Sequence, residues 1–420
     1  MPTQTRRPQT VLVVSQVFVP DPASVGQHIA DVALELARRG HSSGQYNIRV
    51  YASARGFENP GTIYPRREIL GHADIRRFPF ASFGKKSIPL RVLGTAIFMI
   101  QAFFAALTTP RLAGIFFSTS PPLIGLPMSL AAAIRRVPTV YWAMDLNPDQ
   151  LLALGKIKPS GWICRLLESV NRFILHRSTM IVALDRFMAD RLAARNIPRS
   201  KIVILPPWPH EDKIHDESPA NSENPFRARH GLSGKFVIMY SGNHSPSNPL
   251  TTILDAVVQL REDPDIRFLF IGGGSGKKEV EEYIRKYNLT SALSLPYQPI
   301  ADLKYSLSAA DVHIVSLGQT MVGIIHPCKI YGAMAVGRPI LFLGPKPSHI
   351  SDILDRHYIG IHVSHGDVPA AIAAIRRFRG MPAAQLQSMG RTAQMILEQS
   401  LSQPLLCGQF CDLVEKTMQI

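Results

Sequence analysis

Two successive doubly wound α/β domains are the fold class this sequence predicts, and three observations carry that prediction. Its 420 residues exceed an ordinary single domain. Short β-rich runs alternate with helical periodicity along almost the whole chain, which implies parallel sheets covered by helices. The alternation stops once, at Pro206-Pro-Trp-Pro209 and the polar stretch behind it, and then restarts.

In the first half Val11–Val14 opens as a strand, a helix follows over Gly26–Arg39, and Ile48–Tyr51 is the next strand. Gly114–Phe117, helix Leu123–Arg136, Thr139–Trp142, helix Gly161–His176, Met180–Ala183 and Ile202–Leu205 continue the series. After the break come Phe236–Tyr240, helix Pro249–Arg261, Ile266–Ile271, helix Gly276–Tyr287, Leu293–Leu295, helix Ala301–Ala310 and Val312–Val315. Ala383–Ile420 is helical throughout. The expected organisation is a domain over 1–208, a linker over 209–224, a second domain over 225–395 and a terminal helix, 396–420, that packs back on the first. Ligands of such sheets meet the carboxyl ends of the strands, and a cleft between the domains would combine both rims.

Apolar residues make up 46% of the chain, enough for two cores. Charge is uneven: residues 1–208 hold 26 Lys and Arg against 11 Asp and Glu, and residues 209–420 hold 20 of each. The whole net charge of +15 therefore belongs to the first half, which is suited to an anionic surface. The basic pairs, Lys85-Lys86 among them, have no aromatic RNA-binding motif between them, so an anionic membrane is the expected partner and nucleic acid is not. Residues 92–109 form an uncharged apolar run flanked by Arg91 and Arg111. Its length suits a core helix or a membrane-surface helix better than a span, which would also split one α/β domain across a bilayer. The polar start lacks a secretory signal, and the four cysteines fit neither a disulfide framework nor a metal site, so the expected setting is the cytoplasm.

Gly323-Ile-Ile-His-Pro-Cys-Lys-Ile-Tyr-Gly-Ala-Met-Ala-Val-Gly-Arg-Pro339 lies between two β-rich runs. It has a loop, Pro327 in a first-turn position, one short helix, and a stop at Gly337 and Pro339. A helix N-terminus beyond the strand ends offers unpaired N–H groups to a phosphate, and Lys329 adds a full charge. An ordinary crossover with a surface lysine is the alternative. Gly272-Gly-Gly-Ser-Gly-Lys277 fails both as a Walker loop and as a dinucleotide fingerprint, and Asp263-Pro-Asp265 lies in a turn unsuited to a metal.

With these elements and with Ser120-Pro-Pro122, Asp145-Leu-Asn-Pro-Asp149, Tyr240-Ser-Gly-Asn243, Ile271-Gly-Gly-Gly274 and Lys329–Pro339, the chain resembles the GT-B glycosyltransferases over nearly its full length. The likeness is to family 4-like enzymes of bacterial exopolysaccharide and O-antigen assembly. It implies two Rossmann-like domains facing each other across a cleft. A UDP- or GDP-sugar would be bound mainly by the second domain and an acceptor by the first, with retention of configuration and no required metal or other cofactor. Many members carry an acidic pair in the donor loop and helix; Ile324 and Gly332 stand there in this chain, and Lys329 supplies the cation instead. Asn243 replaces a basic residue after the first strand of the second domain.

Glycosyl transfer builds negative charge on the diphosphate oxygen that leaves, and positioned N–H groups with a lysine stabilise that charge. Lys329 and Asp145 are the expected catalytic residues. Asp145 would bond the acceptor hydroxyl or the donor sugar, with loop capping as the alternative. Gly323, Ile324, His326 and Cys328 are the expected diphosphate loop, with Gly26, Gly242, Asn243 and Gly273 around it. Tyr297 and Gln298 enter as base-pocket positions by resemblance. The expected acceptor is a polyprenyl-diphosphate-linked saccharide on the inner face of the cell membrane. An epimerase or hydrolase on the same fold, and a non-catalytic membrane or nucleic-acid binding module, are the other readings.

Overall fold

The computed structural model describes residues 7–57, 59, 61–82, 88–210 and 223–420. Lys85, Lys86 and residues 211–222 of the expected 209–224 linker lie outside them. The chain forms two compact units, 1–207 with 404–420, and 208–403.

The first unit runs β1 (Gln9–Val14), α1 (Ser24–Ser43), β2 (Tyr46–Ser53), β3 (Arg67–Leu70), β4 (Ala73–Phe78), α2 (Ile88–Thr108) and β5 (Leu112–Phe117). Then follow α3 (Gly125–Arg135), β6 (Thr139–Ala143), α4 (Asp149–Ala153), α5 (Trp162–Arg177), β7 (Met180–Ala183), α6 (Arg186–Ala193) and β8 (Ile202–Ile204). The sheet order is β3-β4-β2-β1-β5-β6-β7-β8, parallel except for the β3/β4 pair. Val11–Val14 are fully buried because β1 is central and covered on both faces, which is why it is apolar without alternation.

β3 and β4 leave little trace in the sequence. β3 is an exposed edge, and β4 alternates buried and half-buried positions that include Asp74, Arg76 and Arg77. Asp74 pairs with Arg49 on β2 at 3.0 Å and with Arg76 on its own strand at 2.9 Å, so the charge that disguises the strand is paired both across the sheet and along it. All but the last residue of the 92–109 run lies within α2. Phe98, Ala102 and Ala106 are buried, whereas Val92, Ile100 and Phe104 are each about three-fifths exposed. The helix covers the sheet with one stripe only and is a surface helix rather than a core helix.

The second unit contains α7 (Pro225–Arg229), β9 (Phe236–Ser241), α8 (Thr251–Gln259), β10 (Ile266–Ile271), α9 (Lys277–Lys286), β11 (Ala292–Leu295) and α10 (Leu303–Ser308). It continues with β12 (Val312–Ser316), α11 (Lys329–Ala335), β13 (Ile340–Leu343), α12 (His349–Arg356), β14 (Gly360–Val363), α13 (Val368–Gly380) and α14 (Ala383–Ser400). The sheet order is β11-β10-β9-β12-β13-β14, all parallel. Tyr240, Ile253, Phe268, Phe270, Leu341 and Phe378 belong to its core. The terminal segment is two helices, not one: α14 ends at Ser400, and α15 (Gln403–Met418) belongs almost wholly to the first unit. There Arg39 on α1 pairs with Asp412 and Glu415, and Phe410 packs on Trp142 and Phe116.

Candidate functional site

Strand order reverses at β9, since β10 lies on one side of it and β12 on the other. Loops at the carboxyl ends of such strands diverge and leave room for a ligand. Lys329 opens α11, behind the loop that follows β12, and lies over the end of β9. Its Nζ is 5.6 Å from the centre of the Tyr240 ring, and its Cε would be 2.7 Å from a Cβ placed on Gly242. Burial holds its pKa down, at about 8, and no carboxylate pairs with it among the described residues. A desolvated cation without a counter-ion is costly unless an anion arrives, so the position suits a phosphate. α11 starts at Lys329, two residues after Pro327, and has only seven residues. The charge at this point therefore comes chiefly from the lysine and less from the helix end.

Gly242 and Gly272 build the shelf beneath Lys329. Both have φ near +134°, and a Cβ on Gly272 would sit 2.0 Å from the Gly242 carbonyl oxygen. Only glycine allows these two strand ends to meet. Gly272→Ala is expected to cost about 3 kcal/mol and to lower the melting temperature by on the order of 10 °C. A thermal melt checks the effect, and an unchanged melt would show that the shelf relaxes freely.

The other expected positions divide. Tyr297 is 60% exposed, and its ring edge lies against Gly273. Gln298 is exposed and donates to the Pro296 carbonyl. Asn243 borders Gly274, and its carbonyl accepts from the Tyr240 hydroxyl at 2.8 Å. Gly323 has φ of 68°, but Ile324 is buried, with its amide donating to Met321. His326 Nε2 lies 2.7 Å from the Tyr331 hydroxyl, and its ring packs on His349. The Cys328 amide donates to the His326 carbonyl at 3.0 Å, so the expected phosphate bond from that amide is already committed within the turn. Gly26 lies inside the first turn of α1, not in the loop before it, and is packed on the Val17-Phe18 backbone.

His244 is a residue the motifs did not single out. It is 1% exposed, stands edge-on to Tyr240, and neither ring nitrogen has a hydrogen-bond partner among the described residues. Burial comes first in lowering its pKa; the nearby backbone of Gly273 and Gly242 opposes the shift, and the charges of Lys277 and Lys329 add to it. Lys277 itself is held by the carbonyls of Gly272 and Leu295, each at 2.8 Å, which explains why its glycine-rich string is no phosphate loop. Asp263 and Asp265 both pair with Arg379.

In the first unit Ser118 follows β5, Asp145 follows β6, and Asn171 stands on α5. With Thr119, Tyr141 and Asn147 they line a pocket of about 20 Å³, room for one hydroxyl or water. Asp145 has no hydrogen-bond or ion-pair partner among the described residues, and burial pushes its pKa up to about 6. The Asn171 side-chain N–H₂, on a residue 6% exposed, is likewise unpartnered. Asp149 behaves differently: it pairs with Arg195 at 2.7 Å. The two acids of one sequence motif thus separate into a structural ion pair and an unengaged carboxyl. Nothing in the sequence marks Asn171, which sits on an otherwise ordinary amphipathic helix.

Residues 24–208 match the glycosyl transferase 4-like domain, and residues 235–379 match the glycosyl transferases group 1 family. This chain is a family 4 glycosyltransferase. Its likeness extends to the probable glycosyltransferase WbjE of Pseudomonas aeruginosa, 28% identical over 84% of this chain and 86% of that protein. The putative colanic acid biosynthesis glycosyl transferase WcaI of Escherichia coli K12 is 23% identical over 89% and 92%. The crystal structure of HepE from Anabaena in complex with UDP superposes with a TM-score of 0.70 at 15% identity, covering 97% of this glycosyltransferase and 100% of that chain. The fold is GT-B, so the two parallel sheets expected from the alternation are those of the family.

Proposed function

We propose that this glycosyltransferase moves a sugar, with retention of configuration, from a UDP- or GDP-sugar to a lipid-linked saccharide during bacterial polysaccharide assembly. The observation that carries the reading is Lys329, a desolvated cation with no counter-ion among the described residues, at the strand-order reversal of the second unit. The bond between anomeric carbon and diphosphate oxygen breaks, charge grows on the leaving oxygen, and Lys329 meets that charge more strongly in the transition state than in the ground state. HepE was crystallised with UDP, and WcaI carries a name from polysaccharide synthesis; both support a nucleoside-diphosphate donor and a glycan product. Tyr297 offers a stacking face to the base, a contact open to uracil and guanine alike. Asp145 accepts a hydrogen bond from a sugar hydroxyl in the pocket it shares with Asn171. The net positive charge of residues 1–208 favours a polyprenyl-diphosphate-linked acceptor on the inner face of an anionic cell membrane.

The test is a thermal-shift and calorimetric screen of UDP and GDP, followed by transfer of radiolabelled sugar to a membrane lipid extract. Stabilisation by one nucleotide and label in the lipid fraction are expected. Absence of binding by both nucleotides would sink the reading, and free sugar released without acceptor would point to a hydrolase.

A further inference from the structure

Three helices of the first unit share one face of its sheet. The crossovers β4-α2-β5, β5-α3-β6 and β6-α5-β7 all step in the same direction along the sheet, so right-handed connection places α2, α3 and α5 side by side. α3 packs against α2 on one flank and against α5 on the other. The outward surface of this layer is apolar where a soluble helix would be polar. α2 exposes Leu93, Ile100 and Phe104, and α3 exposes Leu130 and Ile134. A wholly apolar groove of about 260 Å³ runs between them, with Met99, Phe103 and Leu126 among its walls. α5 adds Trp162, 73% exposed, with Ile163 and Leu166.

The rim of this face has one sign. No Asp or Glu occurs between Asp74 and Asp145, while Arg91, Arg111 and Arg136 are exposed around α2 and α3. Lys156, Lys158, Arg165 and Arg172 stand exposed before and along α5, and the acid of that helix, Glu168, lies 3.6 Å from Arg195. α2 meets the length and hydropathy of a membrane span. Both of its ends, however, join strands of the same sheet, and Phe98, Ala102 and Ala106 are buried in the unit. It can lie in a leaflet but cannot cross one without dismantling the sheet. A second copy of the chain is a poor occupant, because a twofold contact would set like-charged rims against each other.

We propose that the α2–α3–α5 face is a monotopic membrane-binding surface that enters the headgroup and acyl boundary of an anionic leaflet, with Trp162 as its second anchor beside α2. The inference rests on the membrane acceptor of the proposed function and adds where and how deeply the protein sits. Apolar side chains supply insertion, the basic rim supplies attraction to acidic headgroups, and an indole suits the interface.

Trp142 and Trp208 are buried, so Trp162 alone of the three tryptophans reports on this face. The full chain is mixed with phosphatidylcholine vesicles with or without phosphatidylglycerol. Sedimentation with the anionic vesicles is expected, with a blue shift of emission and quenching by acyl-brominated lipid, both absent from Trp162→Phe. Leu93→Glu combined with Ile134→Glu should weaken vesicle partition at least about tenfold. Their UDP or GDP thermal shift should match that of the parent, which shows that they fold. Vesicle binding without quenching would overturn insertion, as would self-association in solution that the two glutamates abolish. Nucleotide binding without vesicle binding would overturn the surface and leave the transfer reading standing. Vesicle binding and quenching without binding of either nucleotide would support the surface and sink the transfer reading.

Discussion

Replacing Lys329 with methionine is expected to slow transfer severely while raising the melting temperature of the free protein. The folded pKa of about 8 lies below that of an unfolded lysine, about 10.4. Between those values the unfolded chain binds more protons, so stability rises with pH there, and the full cost of the buried charge is present below pH 8. Methionine removes that cost and keeps a stem to pack over Gly242 and Tyr240. A gain of about 2–6 °C is expected near neutral pH. The same substitution removes the cation that meets the leaving diphosphate, a loss of about 10²–10³ in kcat/KM. For the parent enzyme, donor affinity should fall as pH rises past 8, because the free lysine gives up the proton that a phosphate needs. Calorimetric titration of UDP or GDP at pH 7 and pH 9, beside melts of both proteins, measures each element. A methionine variant that binds nucleotide as tightly as the parent would remove Lys329 from the phosphate site.

Asp145→Asn is expected to stabilise the protein at pH 7 and to slow transfer by on the order of 10²-fold. Here the folded pKa, about 6, is raised above the unfolded value of about 3.9. The folded state then binds more protons between those values, so stability falls as pH rises from about 4 to 6, and the cost is complete above 6. The neutral amide escapes it, a gain of about 1–3 kcal/mol at pH 7 and none below pH 4. The parent should show kcat/KM rising through pH 6 and falling past pH 8, and the variant should lack the acid limb. Urea unfolding at two pH values and a pH–rate profile test both statements. Had Asp145 been a loop cap, the amide would be neutral or destabilising at both pH values. Its lack of any hydrogen bond among the described residues, beside the ion-paired Asp149, argues against capping.

Periodicity reveals elements whose burial is one-sided or complete, and so the central strands and amphipathic helices are legible. Val11–Val14 and Phe268–Ile271 are apolar because both faces of their sheets are covered. β3, β4 and β14 are not legible, because strands at or near the edge of a sheet mix exposed and buried positions, and β3 and β4 also carry charges such as Asp74, which Arg49 on β2 helps to pair. Lys329 could be found because its loop and helix carry a local motif. His244 and Asn171 could not, since an unpartnered buried nitrogen is a property of surroundings and has no spacing of its own.

By itself the sequence determined the fold class, the family resemblance, the cation expected at the diphosphate and the segregation of positive charge into the first half. These are properties of local pattern and composition. Tertiary structure alone decided that Lys329 lies over Gly242, that Cys328 has spent its amide, that Asp145 is free while Asp149 is paired, and that α2 is only half covered. The physical reason is common to all four: desolvation and hydrogen-bond satisfaction depend on which distant residues arrive, and a sheet that reverses its strand order brings together segments far apart in the chain.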